Sequence, residues 1–128
     1  MAKYNTAFII DCHSFPNGFL AQHNKNDKRP DICIGTDDFH TPSDLIANLR
    51  HSFETMGLTV EINEPFAGTM VPLKHYHKDK RVKSVMIEVN RKLYMDESYK
   101  KSEHFQTIKG ILDEIYKKQT QSCQNPNI

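Results

Sequence analysis

Val82-Lys-Ser-Val-Met-Ile-Glu-Val-Asn90 is the stretch that decides how this chain folds. In an extended strand successive side chains point to opposite faces, so Val85, Ile87 and Val89 share one face and Met86, Glu88 and Asn90 the other. The run is apolar enough to sit inside a sheet, yet it carries a carboxylate between Ile87 and Val89. Burying an unpaired carboxylate is costly, so Glu88 must take up a proton, meet a cation or perform chemistry. Two readings stand side by side: a bridge to an arginine or lysine at a sheet edge, with Arg91 following directly, or a carboxylate held for catalysis.

Working outward, Phe105, Ile108, Ile111, Leu112 and Ile115 recur at helical spacing and predict an amphipathic helix over roughly residues 98–118, before a polar tail. On the other side, Glu64 to Val82 reads as a loop, broken by Pro65, Gly68 and Pro72. Leu58 to Asn63 alternates as a strand does. Ahead of it Thr41-Pro42-Ser43-Asp44 predicts a helix start, with Thr41 as the cap and an acidic residue three positions on. Leu45, Leu49, Phe53 and Met56 form its core stripe, and Gly57 its stop. Asp31-Ile-Cys-Ile34 and residues 6–12 are two further short strands, separated by a polar loop from Asn17 to Pro30. Strands alternating with helices imply an α/β layer fold with helices packed on a mixed, mostly parallel sheet. The expected organisation is a single domain over residues 1–120 with a polar tail at 121–128.

With 128 residues the chain suits one domain with a real core. Apolar residues make up 38% and charged residues 26%, the balance of a globular protein. Seventeen basic residues face sixteen acidic ones, which argues against nucleic acid or an anionic membrane as the main partner. No stretch approaches the roughly 20 apolar residues of a membrane span, and the first residues lack the apolar core of a secretory signal, so a cytoplasmic protein is expected. Cys12, Cys33 and Cys123 are odd in number and lack CxxC spacing, which predicts free thiols rather than a disulfide framework or a zinc knuckle.

His13 follows the predicted first strand, and ligands of open α/β sheets bind at the carboxyl ends of strands. It reads either as a metal ligand or as a histidine satisfying a turn, and Asp11 as a residue that orients the turn or stands behind a ligand. The loop Asn63-Glu-Pro-Phe-Ala-Gly-Thr69 suits wrapping a small ligand with backbone amides, and equally suits an ordinary connection. His75 and His77 form an HxH pair within a lysine-rich run, which reads more simply as a solvated basic face. Arg29 could grip a carboxylate in a two-pronged manner or merely solvate its loop.

Taken in order, Asp11-Cys-His-Ser-Phe-Pro16, Arg29-Pro-Asp-Ile-Cys-Ile-Gly35, Asn63-Glu-Pro-Phe-Ala-Gly-Thr69 and Ile87-Glu-Val-Asn-Arg-Lys-Leu-Tyr-Met95 resemble the N-formylglutamate amidohydrolase family. The resemblance implies a three-layer α/β sandwich like that of zinc carboxypeptidases and aspartoacylases, here its C-terminal part. It implies zinc as cofactor, His13 as the third zinc ligand and Glu88 as the general base. It further implies an N-acyl amino acid as substrate, Arg29 and Arg91 as clamps for its carboxylates, and Asn63, Gly68 and Thr69 as pocket residues. Members of the family carry a histidine and a glutamate, the first two zinc ligands, on a longer N-terminal region. Only a few residues precede the His13 strand here. The expectation is therefore an incomplete site, either in a truncated or split product or completed by a second chain, a second protomer or recruited side chains. A binding or subunit module without activity is the alternative.

Overall fold

The computed structural model describes residues 5–17 and 29–124. Most of the loop expected between Asn17 and Pro30, and the end of the tail, lie outside the described residues.

Four strands form one sheet in the order β1 (Ala7–Phe15), β4 (Val82–Asn90), β2 (Ile32–Gly35), β3 (Val60–Ile62). β1 runs parallel to β4 and β2 parallel to β3, whereas β2 and β4 are antiparallel, so the sheet is mixed and mostly parallel as expected. β4 is paired on both edges and buried along nearly its whole length, which explains the continuous apolar reading of its sequence.

The helices α1 (Ser43–Thr55) and α2 (Phe105–Gln124) cover one face. There Val85, Ile87 and Val89 of β4 join Ile32, Ile34 and Val60 from the other strands, Leu49 and Phe53 from α1 and Ile115 from α2 in a single core. The described residues thus supply the sheet and one helical layer. The opposite face of the sheet carries Asp11, His13, Cys33, Glu88 and Asn90 and is crossed by the segment after β3.

Several boundaries differ from the sequence reading. β1 continues to Phe15 instead of stopping at Cys12, because β4 offers backbone partners as far as Asn90. His13 consequently lies within the strand rather than after it. Thr41 does not cap α1: its hydroxyl donates to the buried Ser84 carbonyl at 2.6 Å and accepts the Asp37 amide, which leaves Pro42 as a cap without a side-chain bond. Met56 is 45% exposed and falls off the core stripe. Gly57 ends the helix as expected, at φ 81°, with its amide on the Glu54 carbonyl. β3 is shorter than Leu58–Asn63, since the Leu58 amide closes the helix on Phe53 and Asn63 turns out at φ 59°. α2 begins later than expected because the Asp96 side chain captures the Ser98 and Lys100 amides in a turn. It also runs on through the start of the expected tail, where Gln119, one turn after Ile115, is buried on the same stripe. No helix is long and apolar enough to cross a membrane among the described residues.

Candidate active site

The register of the sheet builds the site. His13 lies opposite Glu88 in the parallel β1–β4 pair, and Glu88 lies opposite Cys33 in the antiparallel β4–β2 pair. These three residues therefore form a row across the face that the helices leave uncovered. Two residues back along β1 and β4, and two residues on along the antiparallel β2, Asp11, Met86 and Gly35 form a neighbouring row.

Glu88 is 8% exposed, and its Oε2 is buried with no hydrogen-bond partner. Its Oε1 faces His13 Nδ1 at 3.9 Å, beyond hydrogen-bond reach. Burial holds its carboxyl above the ordinary range; His13 and Arg91 pull it down and Asp11 pushes it up, and burial prevails. The bridge to Arg91 read from the sequence does not form, because that guanidinium turns to β1 and donates to Ser14 Oγ at 3.1 Å and to the Ser14 carbonyl.

The other nitrogen of His13 meets Asp11 Oδ1 at 2.8 Å. A carboxylate only accepts, so the neutral ring carries its hydrogen on Nε2 and presents the Nδ1 lone pair beside Glu88. An imidazole backed by a carboxylate is the usual form of a zinc-binding histidine. Among the described residues, however, no group of three or more His, Cys, Asp or Glu could hold a metal. The residues present fit one ligand and a neighbouring base, and not a complete site.

A strap from Asn63 to Met70 closes over this face. Asn63 Oδ1 accepts the Thr36 amide at 2.8 Å and, at 3.4 Å, the Gly68 amide, and its Nδ2 donates to Thr36 Oγ1. Thr69 Oγ1 lies 2.7 Å from Ser84 Oγ, which donates to the Met70 carbonyl. The Cys33 thiol donates to the Phe66 carbonyl, and desolvation holds its pKa above the ordinary value. Asn63, Gly68 and Thr69 thus shape and anchor the strap.

Arg29 is 8% exposed and lies 5.6 Å and 5.8 Å from the ring centres of Phe15 and Phe66, which pack against each other at a tilt of 56°. It donates to the Pro16 carbonyl, and its Nε is buried without a hydrogen-bond partner. Phe15 is two residues beyond His13 on the same face, so the residue whose ring the guanidinium packs on lies one step along the strand, roughly 7 Å, from the row holding Glu88.

His75 and His77 serve elsewhere. His77 bonds Asp37 at 3.0 Å, and its amide donates to Nε2 of the buried His40, whose Nδ1 meets the Val82 carbonyl. Burial pushes Asp37 up, yet the hydrogen bonds from His77 and from the Phe39 and His40 amides bring it below the usual range. Sequence reasoning missed Ser84, fully buried with a hydroxyl joining β4 to the strap, and Gly35, on which the Gly68 carbonyl rests. A serine four residues before Glu88 on the same strand face was the available signal.

Comparison with curated protein sequences finds no match. A solved structure, N-formylglutamate amidohydrolase from Ralstonia eutropha JMP134, matches 89% of this chain with a TM-score of 0.75 at 23% identity, and the match spans 42% of that protein. The fold is therefore shared, over less than half of the relative's length. The family model for N-formylglutamate amidohydrolase matches residues 1–95, which include β1 to β4 and both His13 and Glu88, and the chain belongs to the N-formylglutamate amidohydrolase family.

Proposed function

We propose that this chain contributes the catalytic glutamate and one metal ligand to the active site of a zinc-dependent amidohydrolase acting on an N-formyl or other N-acyl amino acid such as N-formylglutamate. The observation that carries this reading is the in-register pair of His13, with Nδ1 turned to Glu88, and Glu88, with a buried Oε2 that nothing satisfies. Zinc held by His13 and by ligands from beyond the described residues, in this or a second chain, would supply Lewis acidity toward the scissile carbonyl and toward water. Glu88 accepts a proton from water as its oxygen bonds to the carbonyl carbon. It returns that proton to the amine nitrogen as the C–N bond breaks, leaving a carboxylic acid and the free amino acid. A carboxylate kept above its ordinary pKa is the stronger base for this task.

Arg29 is the substrate clamp in this reading, since a buried guanidinium packed against two rings gains most from an incoming carboxylate. Arg91 acts more weakly, as a charge near Glu88, because Ser14 engages its donors. Asn63, Gly68 and Thr69 form the wall of the pocket through the strap. The free thiols of Cys12 and Cys33 suit a reducing cytoplasm.

The test is hydrolysis of N-formylglutamate followed by formate release. The reading requires that chelator stop it, that zinc restore it, and that Glu88→Gln abolish turnover while zinc stays bound. Turnover that survives either chelator or Glu88→Gln refutes it.

One observation favours a second reading, a subunit module without activity. A groove of about 420 Å³ opens between β1 and α2, lined by Cys12, Val89, Tyr94, Ile108, Leu112 and Tyr116. Self-association through this groove supports the module reading, and a strictly monomeric chain at high concentration counts against it.

A further inference from the structure

We infer that Asp11 is a positioning residue that fixes the orientation of His13 and ties it to the strap. This rests on the reading of His13 as a ligand, and it goes beyond that reading by assigning the ring's orientation to one carboxylate.

Asp11 and His13 lie two apart on one strand face, so their side chains meet without distorting β1. One oxygen of Asp11 takes the His13 Nε2 hydrogen at 2.8 Å, and the other accepts the Met70 amide at 3.3 Å. Met70 stands at the end of the strap, where its carbonyl is held by Ser84 Oγ. Both carboxylate oxygens are therefore engaged, one by the ring and one by the segment crossing the site. Fixing hydrogen on Nε2 leaves the Nδ1 lone pair toward Glu88, the orientation a metal or a polarised water beside Glu88 requires. Half of the His13 side chain is exposed, so packing alone does not hold the ring. The bond to Asp11 does.

Asparagine in place of Asp11 isolates this function, since it keeps shape and removes one acceptor. If its oxygen faces the ring, its amide group opposes the Met70 N–H. If it is flipped, two donors face each other unless the ring moves its hydrogen to Nδ1. A carboxylate-to-amide change behind a catalytic histidine acts in this way elsewhere.

The test is made on the full chain, free of metal, with ¹⁵N-labelled histidine. In the natural sequence the His13 ring gives the Nε2–H signature and the Met70 amide exchanges slowly. In Asp11→Asn either the ring signature shifts toward Nδ1–H or Met70 exchange accelerates, and zinc binds roughly 10-fold or more weakly. Asp11→Glu, which keeps two acceptors, retains the Nε2–H signature and recovers part of the zinc affinity, a rescue that a merely structural role would not give. An Asp11→Asn chain that keeps both the ring signature and the Met70 protection overturns the inference. Should that variant fail to fold, Asp11→Glu decides alone: retention of Nε2–H supports the inference and its loss overturns it. The ring and amide readouts need neither zinc nor turnover. If Asp11→Asn switches the ring while His13→Ala leaves zinc binding unchanged, the metal reading fails and the orienting one stands.

Discussion

Replacing Gly35 with alanine tests whether the strap is seated as described. Gly35 ends β2, and a Cβ there would collide with the Gly68 carbonyl oxygen, lie 2.5 Å from Met86 Cε and 3.0 Å from Met86 Cβ. The Met86 methyl is the end of a flexible side chain and can swing away. The Gly68 oxygen is backbone and cannot move without lifting the strap. Lifting it strains the contacts from Asn63 to Gly68, from Thr69 to Ser84 and from Met70 to Asp11. Loss of two or three such bonds, at about 1 kcal/mol each, gives a cost of about 2–3 kcal/mol, within the usual range for overpacking. Alanine also restricts the unfolded chain, which offsets about 0.4–1 kcal/mol. The net expectation is a loss of roughly 1–2.5 kcal/mol, or roughly 4–10 °C in Tm for a chain of this size. Urea unfolding with an unchanged m-value is the assay. A variant within about 0.5 kcal/mol of the natural chain would refute the seating of the strap on Gly35.

Other variants probe the remaining parts of the account. Glu88 holds its proton more tightly folded than unfolded, so its contribution to stability is complete below the ordinary glutamate range and is lost as pH rises through the raised value. Glu88→Gln is therefore more stable than the natural chain at neutral pH, with the gap closing in acid; urea titrations across pH measure it, and a gap that widens in acid contradicts the burial argument. If Glu88 is the base proposed above, turnover by the completed site falls on the acid side at a pKa above the ordinary glutamate value, and a pH–rate profile reads this directly. Arg29→Met keeps bulk against Phe15 and Phe66 while removing charge; KM for N-formylglutamate rises more than KM for a neutral N-formyl amino acid, and equal rises would exclude a carboxylate clamp. Phe53→Ala, emptying a fully buried site under the sheet, costs roughly 3–5 kcal/mol in the same unfolding assay, and less than 1 kcal/mol would mean that α1 is not packed there.

The central strand was legible to its last residue, because burial on both faces writes a continuous apolar run and makes a carboxylate within it conspicuous. β1 was legible only in its apolar half. Residues 11–15 are held extended by pairing with β4, some 75 positions away, and no local pattern reports that. Thr41 illustrates the same limit: its neighbours form a sound cap signal, but the buried Ser84 carbonyl claims the hydroxyl instead. The end of α2 was hidden by Gln119, a polar residue on a buried stripe that an apolar count stops short of. Within the site, His13 and Glu88 stood out separately by residue type and by family resemblance. Their facing geometry, the cradle around Arg29 and the tie from Asp11 to Met70 each join segments distant in sequence, so they appear only once the sheet register is known.

The most direct test of the central claim is a zinc titration of the isotope-labelled full chain, read by NMR at the His13 ring and at Glu88, beside the same titration of His13→Ala. The account predicts saturable shifts at His13 Nδ1 and the Glu88 carboxyl, absent in His13→Ala, even where the affinity is that of an incomplete ligand set. Shifts confined to other histidines, or identical in both chains, would contradict it.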